Sequence, residues 1–313
     1  MTGGAGFIGS HIVDRLVEWG NQVLIIDNLS ASTTEFVGSL VKAKKVTFQK
    51  ADIRDRDFLF ANLKDIDLII HMAADPDVKN SVPFPIVSFE INVVGTLNLL
   101  ETMRKNDIPK IAFASSGGTL YGQVDEFPIT ERTILHPISP YGASKAAGEM
   151  YIAAFADAYG FKGVGLRYAN IFGPRSNHGI TFDFFNKLKA NPKKLEILGD
   201  GKQQKDYLFV SDCVDASLLC AEKMNTQKGS YDFYNLGADG WHTVNELANG
   251  VIDAMHLSGV EFSYTGGAQG WVGDVAKMRL DISKVKALGW SPKVTFKEGI
   301  TRYINWLVTL MKA

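Results

Sequence analysis

The chain has 313 residues, 46% of them hydrophobic and 21% charged, with a formal net charge of -1. That length and composition suit a globular protein of two domains, or one domain with an appended lobe, around a sizeable core. A near-neutral balance excludes an electrostatic grip on nucleic acid or an anionic membrane. No apolar run approaches the ~18 residues of a membrane span, and no basic start followed by an apolar stretch marks a signal peptide.

The chain opens on Gly3-Gly4-Ala5-Gly6-Phe7-Ile8-Gly9, which leads into a helix-period segment over 8–19. Short apolar, β-branched runs follow at 23–27, 46–49, 68–72, 111–114 and 164–166 and predict strands. Between them, 84–105 and 141–159 carry helical periodicity. Strand–helix alternation with runs this apolar predicts an α/β fold, a doubly wound parallel sheet of the Rossmann type covered on both faces. The second half is more broken, with helices expected at 182–189, 211–224, 244–255 and 296–311 and strands at 231–236 and 260–264. The basic run at 42–45 reads as a solvated face. Cys213 and Cys220 have neither metal nor redox spacing and read as reduced, half-buried thiols of a cytoplasmic protein. Without secretion, the sequon Asn28-Leu29-Ser30 carries no meaning.

Glycines at three-residue intervals opening a helix meet a physical need. The turn is tight, the backbone must approach a pyrophosphate closely, and a helix N-terminus attracts anions. Asp27 strengthens this reading, because it ends an apolar strand 18 residues after Gly9, where a carboxylate can accept hydrogen bonds from adenosine ribose hydroxyls. It would repel a 2′-phosphate, and no Arg or Lys lies between positions 28 and 34, so NAD is expected rather than NADP. A glycine turn of this kind normally follows a strand of five or six apolar residues. Only Met1 and Thr2 precede it here. The expectation is that a few further residues precede them in the natural protein, and that without these the sheet centre has unpaired backbone groups and a groove.

Tyr141 and Lys145 begin another helical segment four residues apart, which places both on one helix face. A phenol normally ionises near pH ~10. A neighbouring ammonium and the positive charge of an oxidised nicotinamide would together lower that value. The phenolate could then take a proton from an alcohol while hydride leaves the same carbon.

With these residues in place, the chain resembles the extended short-chain dehydrogenase/reductase family through essentially its whole length, in the UDP-glucose 4-epimerase branch. The resemblance implies the following roles. Gly3, Gly6, Phe7, Ile8 and Gly9 line the pyrophosphate, and Asp27, Asn28 and Ser30 lie by the adenosine ribose. Asp52-Ile53 holds the adenine, Met72, Ala73 and Ala74 pass under the cofactor after His71, and Asn92 and Ser115 lie near it. Tyr141, Lys145 and Tyr168 meet the nicotinamide end. Asn170, Lys205, Trp271, Asp274 and Met278 fall at the sugar-nucleotide site, and Leu288-Gly289-Trp290-Ser291-Pro292 reads as a packed Trp and a turn. Hydride passes to the B-type face of NAD, a 4-keto sugar swings about its diphosphate, and no external redox partner or metal is needed. The implied domains are 1–170 with a return segment at 203–238 for NAD, and 171–202 with 239–313 for substrate. A homodimer through 84–105 and 141–159 is also implied.

Several positions depart from the family pattern. The catalytic Ser/Thr lies four residues before the family's tyrosine, where this chain has Gly117, so Ser116 or Thr119 must serve, with Ser116 favoured. The arginine on the nucleotide phosphate is Lys205, which keeps the charge but loses the planar fork. A second phosphate arginine has no match, and Trp271 or Gln269 occupies the region. Met278 stands at the sugar-pocket gatekeeper and is too flexible to decide whether an N-acetyl group fits. Gly118-Thr119 replaces the dehydratase branch's acidic pair, which argues against dehydration. No cation is identifiable for a uronate carboxylate. The remaining alternatives are another sugar-nucleotide enzyme, on an N-acetylhexosamine or a uronate, and a catalytically idle NAD-binding protein.

Overall fold

The computed structural model describes residues 1–224, 227–271 and 273–310. Its apolar runs form strands β1 (Val23–Asp27), β2 (Val46–Lys50), β3 (Ile69–His71), β4 (Lys110–Ser116) and β5 (Lys162–Tyr168). Shorter strands follow: β6 (Asn170–Phe172), β7 (Lys194–Ile197), β8 (Gln204–Lys205), β9 (Tyr207–Phe209), β10 (Tyr231–Leu236), β11 (His242–Thr243) and β12 (Glu261–Tyr264). The main sheet is parallel throughout, in the order β2-β1-Thr2-β3-β4-β5-β10. Strand alternation divides the core. Ala112 and Ala114 face Ile12 and Cys213, whereas Ile111 and Phe113 face Leu99 and Ile152. The doubly wound Rossmann-type sheet expected from the sequence is therefore present.

Thr2 alone stands where the central strand runs. Its N–H donates to the Ile70 carbonyl at 3.0 Å and its carbonyl accepts from Met72 N–H at 3.1 Å. Ile26 N–H reaches the Met1 carbonyl at 2.9 Å, and the Met1 ammonium donates to Leu24 O at 2.9 Å. At the end of the sheet that carries the site, Met1 and Thr2 thus pair with the neighbouring strands on both sides. Burial pushes the Met1 ammonium down to about 5.

The predicted strands and helices stand within two residues of their expected bounds, with one exception and with position 311 outside the described residues. The helix expected over 84–105 is composite: Pro85–Ser88 is α-helical, Phe89–Val94 is a π-turn and Gly95–Lys105 is α-helical again. The wider turn swings Asn92 inward, leaving it 2% exposed. A short helix, Arg56–Asn62, had no periodic signal; it starts on Asp55, whose carboxylate accepts from Phe58 N–H. Cys213 and Cys220 are free but fully buried, not half-buried, because both lie on the covered side of the helix Val210–Glu222. Positions 42–45 are solvated as expected.

Beyond β5 the chain builds small pieces. β6 pairs with β9 and β7 with β12, both parallel, and β8 pairs antiparallel with β11. The helix Val244–Ala254 opens on a capping box between Thr243 and Glu246. Trp290 is buried, beside Gly289 at φ 93°. Among the described residues no helix is long and apolar enough to cross a membrane.

Candidate functional site

The carboxyl ends of β1, β3, β4 and β5 converge on the glycine loop, the place where parallel α/β sheets bind ligands. A Cβ on Gly3 would lie 2.5 Å from Ala73 N, and one on Gly9 would lie 2.1 Å from the Gly3 carbonyl oxygen. Backbone packing therefore requires both glycines. Gly6 meets only Gly3 O, at 3.4 Å, so its outer side is open. It caps the helix Phe7–Glu18, which has no side-chain cap and no acidic residue in its first turn. Its leading N–H groups thus remain available to an anion. Phe7 stands edge-on to His178 at 6.2 Å, and Ile8 is half-buried behind it.

Asp27 is 8% exposed. It accepts Ala5 N–H at 3.0 Å, Leu29 N–H at 2.9 Å and the Ser32 hydroxyl at 3.0 Å. A carboxylate offers about four acceptor sites, so capacity for a ribose hydroxyl remains. Asn28 donates to Asp52 at 2.8 Å and accepts from the N–H of exposed Ser30 at 2.9 Å. Arg54 grips Asp52 with two nitrogens at 2.9 and 2.8 Å and holds its carboxyl well below the usual carboxylate range. Ile53 is buried beneath Gly95, where a Cβ would lie 2.5 Å away.

Met72, Ala73 and Ala74 continue half-buried from β3. Before them His71 bridges the hydroxyls of Thr2 at 2.8 Å and Thr96 at 3.0 Å, and burial pushes its pKa down to about 3. Thr96 passes its own proton to the Asn92 carbonyl at 2.6 Å, so the Asn92 turn is tied to the sheet. Ser115 Oγ is buried without a partner among the described residues. A helix N-terminus open to an anion, an acceptor at the end of β1 and an orphaned hydroxyl at the end of β4 together fit a dinucleotide.

The helix Pro140–Tyr159 begins on Ser139, whose hydroxyl accepts from Gly142 N–H at 3.1 Å, with proline in the first turn. It presents Tyr141 and Lys145 on one face. The Lys145 ammonium donates to Ala114 O at 2.9 Å and lies 5.8 Å from the Tyr141 ring centre, which ties the pair to the end of β4. Burial lowers Lys145 to about 8, against the carboxylates of Asp75 and Glu149. Burial, then the charge of Asp75, pushes the Tyr141 phenol up; the lowering expected from the sequence involves the charge of an oxidised nicotinamide as well as the ammonium. Asn92 holds this side, donating to Ser144 at 2.9 Å and accepting Asp75 N–H at 2.8 Å.

A Cβ on Gly117 would lie 2.6 Å from Leu280 Cδ1, the movable end of a side chain, and 3.0 Å from Tyr168 O, so a serine or threonine there requires Leu280 to shift. Thr119 donates its hydroxyl proton to Ser116 Oγ at 2.8 Å, which leaves the Ser116 proton for another acceptor. Tyr168 turns its phenol away to Ser217 at 3.0 Å, while its carbonyl accepts Gly117 N–H at 2.7 Å.

On the substrate side, Asn170 is exposed at the start of β6. Lys205 and Asp274, both expected to meet substrate, are paired with each other at 2.6 Å, and Lys205 also bonds Val275 O. Met278 is 3% exposed, and its sulfur would lie 2.8 Å from a Cβ on Gly118. Trp271 is 37% exposed, and its neighbour at 272 lies outside the described residues.

Two features were not singled out from sequence. Asp75 faces the catalytic pair and is anchored by the Ser88 hydroxyl at 2.6 Å. Glu149 is fully buried on Arg167 at 2.6 Å. Position 149 continues the stripe 141, 145, and a carboxylate on that buried face was the available signal.

The sequence pattern of the NAD dependent epimerase/dehydratase family matches residues 1–237. The chain is 40% identical over 312 residues to a putative UDP-glucose 4-epimerase of Methanocaldococcus jannaschii, covering 98% of this chain and 97% of that protein. A crystal structure of Thermus thermophilus UDP-glucose 4-epimerase in complex with NAD superposes with a TM-score of 0.88 at 36% identity, over 98% of this chain and 97% of that one. The UDP-N-acetylglucosamine 4-epimerase of Methanobrevibacter ruminantium M1, in complex with UDP-N-acetylmuramic acid, superposes at 0.89 with 32% identity, over 99% and 97%. Site geometry and likeness along the whole length agree: the chain belongs to the NAD-dependent epimerase/dehydratase family, and NAD is its cofactor.

Proposed function

We propose that the protein inverts carbon 4 of a UDP-linked hexose, interconverting UDP-galactose and UDP-glucose. The observation that carries this is the tie between Lys145 and Ala114, which sets Tyr141 and Lys145 against the end of β4 beside Ser116. NAD, held by the glycine loop, Asp27 and the ends of β3 to β5, supplies the hydride acceptor and donor. Tyr141 takes the proton of the 4-hydroxyl as general base and, once the 4-keto sugar has turned about its diphosphate to present its opposite face, returns the proton to the same oxygen. Ser116, whose oxygen already accepts the Thr119 hydroxyl proton, keeps its own proton free and donates a hydrogen bond to that sugar oxygen. Lys145 stays an ammonium at neutral pH, since its value of about 8 lies above 7, and stabilises the phenolate.

Asn170 and Lys205 hold the nucleotide diphosphate, Lys205 by leaving Asp274 in part. Trp271 and Met278 bound the uridine and sugar. Residues 1–170 with 203–238 serve NAD, and 171–202 with 239–313 serve substrate, in a cytoplasmic protein. A homodimer suits two segments that pack together and expose large apolar side chains. Phe84, Ile86, Val87 and Phe89 lie on one, and Met150 and Tyr151 on the other. Light scattering on the purified protein reads the mass, and a monomer overturns the dimer.

Incubation of purified protein with UDP-galactose, without added reductant, tests the reaction. UDP-glucose should accumulate. Bound NAD with no isomerisation of any UDP-hexose would overturn the reading in favour of an idle binding protein.

A further inference from the structure

The largest charged side chain in the core belongs to no step described so far. Arg167 is 2% exposed and Glu149 is 0% exposed. The guanidinium grips Glu149 through Nε at 3.0 Å and Nη2 at 2.6 Å, lies 3.9 Å from the Phe233 ring centre, and donates from Nη1 to Tyr121 Oη at 2.7 Å. Tyr121 donates onward to Asn235 Oδ1 at 2.8 Å, and Asn235 Nδ2 reaches Ile129 O at 2.9 Å.

Each member of this chain of bonds sits next to one reacting part. Glu149 is one helical turn beyond Lys145. Arg167 precedes Tyr168, whose carbonyl holds Gly117 N–H beside Ser116. Tyr121 ends the turn that begins at Gly118 and carries Thr119. Ile129 exchanges backbone bonds of 2.7 and 2.8 Å with Arg279 and Asp281, which flank Leu280 and follow Met278. One guanidinium thus joins the segments bearing the base, the hydroxyl donor, the exposed Asn170 and the sugar-pocket wall. Stability does not account for such a pair, because apolar residues of similar volume serve a core as well or better.

We propose that Glu149 and Arg167 are positioning residues: their buried pair fixes the helix carrying Tyr141 and Lys145 against the end of β4, and through Tyr121 and Asn235 fixes the Met278–Leu280 wall against the same point. The proposal rests on the epimerase reading. Neither side chain touches substrate or cofactor.

The test uses full-length holoprotein with Glu149→Met and Arg167→Met combined, beside Glu149→Gln and Arg167→Lys. The double variant should keep its melting temperature, its bound NAD and its KM for UDP-galactose, while kcat falls ~100-fold, the scale of a ~1 Å misplacement of reacting groups. Arg167→Lys, retaining one charged contact, should recover part of that loss. A double variant with wild-type kcat overturns the proposal, as does loss of NAD and melting temperature in step with kcat. If the double variant does not fold, Glu149→Gln decides, and wild-type kcat there overturns it. Wild-type protein inactive on every UDP-hexose sinks the epimerase reading instead. The crystal structure of Glu149→Gln then judges the pair: an unmoved Lys145–Ala114 contact and an unmoved 278–280 segment overturn it, and displacement of either supports it.

Discussion

The half around the glycine loop and the half built from the pieces beyond β5 are made by different means. In the first, backbone meets backbone. Gly3 lies against Ala73, Gly9 lies against Gly3, and the parallel strands leave little to side-chain choice. In the second, two-residue strands and short sheets replace the long parallel ones, and an ion pair between Lys205 and Asp274 ties β8 to the segment at 274. The first arrangement tolerates almost no variation.

The largest effect should come from attacking the rigid half. Gly9→Ala places a methyl 2.1 Å from a backbone oxygen, and the purified protein should contain no NAD and show no activity. Released nucleotide, measured after denaturation, checks this. Survival of stoichiometric NAD would mean that the loop yields and the contrast is false.

The catalytic pair joins the two halves, and its pH dependence should be steep. Lys145 is lowered to about 8, so it loses its proton as pH rises through that value, and kcat should then fall about tenfold per pH unit on the alkaline side. A flat profile from pH 7 to about 10 would show that the ammonium is not required.

Much of this was legible because it is local. Glycine spacing, the carboxylate ending β1 and the Tyr141–Lys145 stripe are signals that sequence neighbours write together. The crowding around Gly117 was not legible, because Leu280 reaches it from far along the chain. Nor was the partnership of Lys205 with Asp274, two residues both assigned to substrate. The π-turn at Asn92 escaped because periodicity reads a wide turn as a continuing helix. The depth at which Tyr141 is buried was not legible either, since burial depends on the whole fold; it pushes the phenol up.

A smaller change tests the softer half. Lys205→Ala should raise KM for UDP-galactose about tenfold, the scale of one surface-accessible charge-assisted contact, with kcat and bound NAD unchanged. Equal losses in NAD content would blur the division between the halves.

The smallest effect concerns the seam. Asp206 is buried, accepts Ala238 N–H at 2.7 Å and stands at about 7, raised from 3.8 by burial. The folded state therefore binds its proton more tightly than the unfolded one. The stability it contributes is greatest below the unfolded value and is lost as pH rises toward about 7. Asp206→Asn removes this titration, so the fall in melting temperature between pH 5 and 8 should shrink by a few degrees. An unchanged fall would place the titration elsewhere.

The central claim is that one phenol moves the proton of the sugar hydroxyl. Tyr141→Phe keeps the ring and its packing, so the variant should retain NAD and melt like wild type while kcat on UDP-galactose falls by about 10²- to 10⁴-fold. Turnover at the wild-type rate by that variant would contradict the account.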